Sequence, residues 1–176
     1  MFDRIYPFKY IQSKEVKDEP FLVEHLYSFK GKNGRYIVVL QEFPFQFIGV
    51  KFYLKAHTDS PNKYKLLTGN NDVQGCVRTC IEIMLSLLQS NPKTSYGFIG
   101  ANLVGESMNN TKRFKIYRQV MENLFSPLYF THYSLQAESV YLMLNNPMLK
   151  EKPQFFNVIK KSYVEYYQTE KPEEGE

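Results

Sequence analysis

The sequence has no tryptophan, two cysteines and three histidines among its 176 residues, and no run near the ~20 apolar residues that cross a bilayer. Each shortage removes a class of function. Cys76 and Cys80 stand four apart in a segment of helical periodicity, which points both side chains the same way but does not suit a disulfide. They read as small, reduced hydrophobes. His25, His57 and His132 are scattered without metal-ligand spacing, so no metal is expected. Nor do they stand beside a nucleophile signature, and His57-Thr58-Asp59 is ordinary polar turn chemistry. The chain carries no Walker loop, dinucleotide fingerprint or internal repeat. Met1 to Ile5 lack the basic segment and apolar run of a secretory signal, so a cytoplasmic protein with no membrane partner is expected.

What the chain does have is aromatic mass. Fourteen Tyr and fourteen Phe in a 43% hydrophobic sequence imply an aromatic-rich interior or binding face. The length suits one domain with a single substantial core. A net charge of +4 permits phosphate contacts without arguing for them.

Residues 1–20 mix aromatics with charge and read as an N-terminal arm holding one short element. Phe21–Lys30 and Arg35–Phe43 are β-type segments joined by Gly31-Lys32-Asn33-Gly34, a hairpin. Phe45–Lys55 resumes the pattern after Pro44, with Gly49 as a bulge or close-approach point, and Tyr64–Thr68 predicts a fourth short strand. Val73, Cys76, Val77, Cys80, Met84 and Leu87 then recur at helical spacing, predicting a buried helix with Asp72 as N-cap, its carboxylate accepting near Gly75.

Ser95–Asn102 reads as a strand with Gly97 and Ala101 on one face and Gly100 on the other, small residues that admit another backbone or a ligand. A second helix begins near Asn109-Asn110-Thr111 and runs to about Phe125, with Phe114, Tyr117, Val120 and Met121 inward. Tyr129–Tyr133 and Ser139–Leu144 predict an antiparallel strand pair, and Pro153 opens a C-terminal helix striped by Phe156, Ile159, Tyr163 and Tyr166. One domain over 21–168 and a flexible acidic tail over 169–176 complete the expectation.

Asn110-Thr111-Lys112-Arg113-Phe114-Lys115-Ile116-Tyr117 resembles the N-x-x-A-x-x-L-Y segment that opens the last core helix of the GNAT superfamily of N-acyltransferases. The order of strands, buried helix, strand, helix and final strand pair is similar too, over roughly residues 35–145. The resemblance implies an α+β fold with a mixed, mostly antiparallel central sheet flanked by helices, plus the C-terminal helix. It implies acetyl-CoA or another acyl-CoA as ligand, with Tyr117 protonating the leaving thiolate as general acid and Asn110 holding pantetheine. An inward aromatic equally serves as plain core, and Asn110 as a helix cap.

The family's Q/R-x-x-G-x-G/A phosphate loop corresponds to Gly69-Asn70-Asn71-Asp72-Val73-Gln74-Gly75-Cys76, whose glycines fall elsewhere and whose Asp72 would repel a phosphate. Gln74 and Gly75 serve in part, with Arg78 one turn on and Gly97 giving close approach. Arg113 replaces a small residue. Its guanidinium binds an anion in a cleft, or its stem covers apolar surface while the head reaches water. Gly97–Ala101 followed by Asn110–Tyr117 also resembles a group of bacterial proteins without an assigned activity.

Two functions remain open, acyl-CoA binding with transfer to an amine, and a non-catalytic module holding a protein or peptide partner on the same scaffold. Nucleic-acid binding through Lys112, Arg113, Lys115 and Arg118 ranks last, because such a basic helix face usually only meets solvent.

Overall fold

Alternating apolar side chains through 35–55 do build a sheet. The computed structural model, which describes residues 4–66, 72–103 and 105–169, shows it to be mixed and seven-stranded, in the order β1-β2-β3-β4-β5-β7-β6. The strands are β1 (Phe8–Glu15), β2 (Val23–Gly31), β3 (Gly34–Phe43), β4 (Phe47–Leu54), β5 (Ser95–Ile99), β6 (Phe130–Leu135) and β7 (Val140–Asn145). Every neighbouring pair is antiparallel except β4 and β5, which run parallel. The fold class is thus α+β, as expected.

Helices α1 (Val73–Ser90) and α2 (Lys112–Leu124) cover one face. Their inward residues Cys80, Ile81, Met84, Phe114 and Met121 lie wholly out of water against Val38, Leu40, Tyr96 and Phe98 of the sheet. Such burial drives the fold at ~25 cal/mol per Å² of apolar surface. The two cysteines are free and buried, and burial raises both thiols above their ordinary range, so they act as hydrophobes.

The other face is covered from the C-terminus. After α3 (Asn146–Glu151), capped by Asn145 Oδ1 accepting from the Met148 amide at 3.1 Å, come α4 (Phe155–Ile159), a π-helical turn (Lys160–Glu165) and α5 (Tyr166–Thr169). Phe155, Ile159, Tyr163 and Val164 are buried, whereas Phe156, expected inward, is only half-buried against Tyr133. The last seven residues of the expected acidic tail lie outside the described residues.

The element held by the N-terminal arm is β1, which pairs with β2 along its length, and the residues before it reach α1. Two further expectations change. Tyr64–Leu66 forms no strand, since the carbonyls of Tyr64 and Leu66 bond to the Arg113 guanidinium rather than to a sheet neighbour, and the rest of that expected strand lies outside the described residues. Asp72 stands at the N-cap of α1 but does not cap it. Its carboxylate accepts instead from the Tyr6 hydroxyl at 2.5 Å and the Lys32 amide at 2.8 Å. Gly31 makes room, as a β-carbon there would lie 2.6 Å from Asp72 Oδ2.

Candidate functional site

The parallel pair β4 and β5 is short. It pairs Phe47 with Ser95 through Val50 with Phe98, then parts. Beyond Ile99 the chain stays with β7, the Gly100 amide donating to the Ser139 carbonyl at 2.8 Å, while β4 runs on to Leu54 paired with β3 alone. A cavity of about 380 Å³ opens at the parting.

Both faces of the sheet contribute to its wall. Alternation along β4 sends Val50 and Phe52 to the side of α1 and α2, and Gly49 and Lys51 to the side of the C-terminal helix. Tyr117 of α2 lines the cavity from the first side and Tyr163 of the π-helical turn from the second. The turn can bring Tyr163 so close because Gly49 and Gly97 are register partners. A β-carbon would fall 2.8 Å from the Tyr163 ring at Gly49 and 2.7 Å at Gly97.

Tyr117 is 4% exposed, with its ring 5.2 Å from that of Phe98. Burial raises its phenol well above the ordinary value and the neighbouring Arg113 charge pulls the other way, so at neutral pH it holds its proton. A phenol in this state can donate a proton but does not serve as a base. Burial raises Tyr163 likewise, with the Tyr167 and Tyr117 hydroxyls adding to the shift.

Arg113 is 8% exposed and lines the same cavity. Its Nη1 donates to the Tyr64 carbonyl and its Nη2 to the Leu66 carbonyl at 2.7 Å. The head is largely buried and ties residues 64–66 down beside the parting. Lys51 Nζ lies 4.5 Å from the centre of the Tyr64 ring and 5.1 Å from that of Tyr167, close enough for cation–π attraction.

The start of α2 is set by a short polar network. Thr111, rather than Asn110, is the cap, its Oγ1 accepting from the Phe114 amide at 3.1 Å and donating to the Gly100 carbonyl at 2.5 Å. Gly100 is required there, since a β-carbon would sit 2.4 Å from the Phe114 backbone nitrogen. Asn110 precedes the cap with φ of 50°, its amide donating to the Gln136 carbonyl.

Of the residues the sequence singles out, the cavity gathers Tyr117 and Arg113. Asn110 lies on the loop before α2 and is not part of the wall. Gly97 backs onto Tyr163. Gln74, Gly75 and Arg78 belong to the first turns of α1, where Arg78 pairs with Glu82 at 2.9 Å and the Tyr6 ring lies over Gly75, 2.9 Å from where a β-carbon would be. Residues 69–71 of the expected phosphate loop lie outside the described residues.

Sequence reasoning missed Gln41, Lys51, Asn102 and Tyr167, all of which line the cavity. Gly49, as a glycine inside a strand pattern, and Ala101, as a small strand residue, had left signals. Compared with protein-family models, with curated proteins and with solved structures, the chain matches none.

Proposed function

We propose that this chain is a GNAT-like protein that takes an acyl-CoA thioester at the parting of β4 and β5 and transfers its acyl group to an amine. The observation that supports this reading most is the position of Tyr117, a protonated phenol on the wall of a cavity between two parallel strands. The run β2–β4, α1, β5, α2, β6, β7 is also the element order that the resemblance implies. The thioester would supply the activated carbonyl. The amine nitrogen would attack that carbonyl, forming the amide bond as the C–S bond breaks; Tyr117 would give its proton to the departing thiolate and recover one from the amine nitrogen, and the enclosing side chains would keep water out.

The described part of α1's start does not suit the coenzyme's diphosphate. Amides at a helix N-terminus attract phosphate when they are open and free of negative charge. Here Asp72 is 1% exposed at that end and the Tyr6 ring covers Gly75. The reading therefore gives the diphosphate no place on α1. This feature favours the second reading, a non-catalytic binding module on a GNAT-like scaffold with a protein or peptide partner.

Calorimetric titration with acetyl-CoA and with CoA separates the two. The first reading expects dissociation constants on the order of micromolar, together with amide formation from an amine panel that Tyr117→Phe reduces at least ~100-fold. Absence of heat and of a thermal shift at millimolar acetyl-CoA would leave the second.

A further inference from the structure

The buried guanidinium of Arg113 has no counter-ion among the described residues. Its two bonds go to carbonyl oxygens, which accept hydrogen bonds but carry no net charge. The ion pairs of the described chain lie elsewhere, at His25–Glu42, Arg78–Glu82, Lys93–Glu151 and Arg118–Glu122. The Glu106 carboxyl is held low first by the Leu103 amide at 2.8 Å, then by the Lys112 amide at 3.0 Å and the Lys112 charge, and only last by Arg113, with which it forms no ion pair. A largely buried cation bonded only to neutral oxygens is favoured further by an anion bound against it.

The cavity that Arg113 lines has the matching character. Lys51 and Lys65 also line it, and among the described residues no aspartate or glutamate does. Its remaining wall includes Val50, Phe52, Ile99 and Met108, an apolar surface. Asn102 is among its neutral polar residues. Asn102 donates through Nδ2 to the Glu106 carbonyl at 2.9 Å, which fixes the amide's orientation, and its Oδ1 is buried without a partner.

We propose that the cavity recognises a small α-amino acid with an apolar side chain, its carboxylate paired with Arg113 and its amino N–H donated to Asn102 Oδ1. This names the acceptor class for the proposed function and rests on that reading's use of the cavity as a ligand site. An amino acid offers a carboxylate for the buried cation and a donor for the buried Asn102 oxygen, and its side chain meets the apolar part of the wall.

The test is a titration of the full chain at low salt with phenylalanine, leucine and methionine, each beside its carboxamide, which keeps shape and amine but removes the negative charge. The free acids should bind at least about tenfold more tightly than the amides, and Asn102→Leu should weaken the acids by a similar factor. Because Arg113 also ties down residues 64–66, the acid-to-amide comparison on the unaltered protein carries the test. Acids and amides binding alike, or no effect of Asn102→Leu, would overturn the assignment. Acetyl-CoA titrated in the same series tells the failures apart: acetyl-CoA binding without acid preference sinks only this inference, whereas no binding of any of these ligands sinks the ligand site as well.

Discussion

The Tyr6 hydroxyl donates to Asp72 Oδ1 at 2.5 Å, joining the N-terminal arm to the first turn of α1 across 66 positions of sequence. The Tyr6 amide donates to Thr79 Oγ1 at 3.0 Å and its ring stacks on Phe29 at 5.7 Å, so the arm is fastened at three points. Burial, followed by the bond to Asp72, raises the Tyr6 phenol, so it remains a donor at neutral pH. This contact places a carboxylate and an aromatic ring where the resemblance implies a diphosphate.

Tyr6→Phe keeps the stacking and removes the donor from a buried carboxylate. It should destabilise the protein by about 1–3 kcal/mol, because one oxygen of Asp72 then lies buried with a bond unmade. Urea denaturation of the two proteins measures this. Equal midpoints and equal slopes would show that the contact contributes nothing to stability.

Arg113→Met keeps much of the stem and removes both bonds to the carbonyls of Tyr64 and Leu66. Residues 64–66 have no strand partner to hold them, so they should open more often. Limited digestion with trypsin should then cut after Lys63 and Lys65 at least several-fold faster than in the parent. Unchanged cleavage would mean that the segment is held by Tyr64 against Tyr53, whose rings lie 5.3 Å apart, and not by Arg113.

His132 predicts a pH dependence. Its Nε2 faces the Phe125 carbonyl at 3.0 Å, which only accepts, so Nε2 carries the proton and Nδ1 accepts from the Tyr141 hydroxyl at 2.7 Å. Burial holds the imidazole below its ordinary 6.5, outweighing the Phe125 carbonyl, which favours the charged ring. The unfolded chain therefore takes up the proton more readily than the folded one. Stability from this group is full above pH 6.5 and falls as pH drops through 6.5 toward the folded value. Urea midpoints between pH 7.5 and 5.5 should fall more steeply for the parent than for His132→Gln, and parallel profiles would contradict this.

The helices were the most legible elements. α1 and α2 begin within two residues of where periodicity puts them, because Asp72 and Thr111 both precede sustained apolar stripes. β2 to β4 were readable for the same reason, a run of β-branched and aromatic residues broken at Gly31–Gly34 and at Pro44. What sequence could not supply was the partner of each polar group. Asp72 has the identity of a cap and sits at the cap position, yet Tyr6 and Lys32, distant in sequence, claim its oxygens.

The cavity was illegible for a related reason. It exists because β5 follows β7 after Phe98 while β4 follows β3, a choice made by pairing and not by composition. Tyr117 was visible as an inward aromatic of α2, but Tyr163 reaches the same space from the opposite face only because Gly49 and Gly97 fall in register. Arg113 was visible as a cation standing where a small residue is expected, its head either on an anion or in water, but the two distant carbonyls that it bonds leave no trace in its neighbours.

The central claim is that the parting of β4 and β5 is where this protein holds its ligand. Two-dimensional amide spectra of the isotope-labelled chain, recorded while acetyl-CoA and then phenylalanine are added, test it residue by residue. The account predicts shifts concentrated at Gly49, Val50, Ala101, Asn102 and Tyr117, with the amides of Gln74 and Gly75 at the start of α1 little changed. Spectra unmoved by either ligand, or shifts centred on α1 and absent from the cavity, would contradict it.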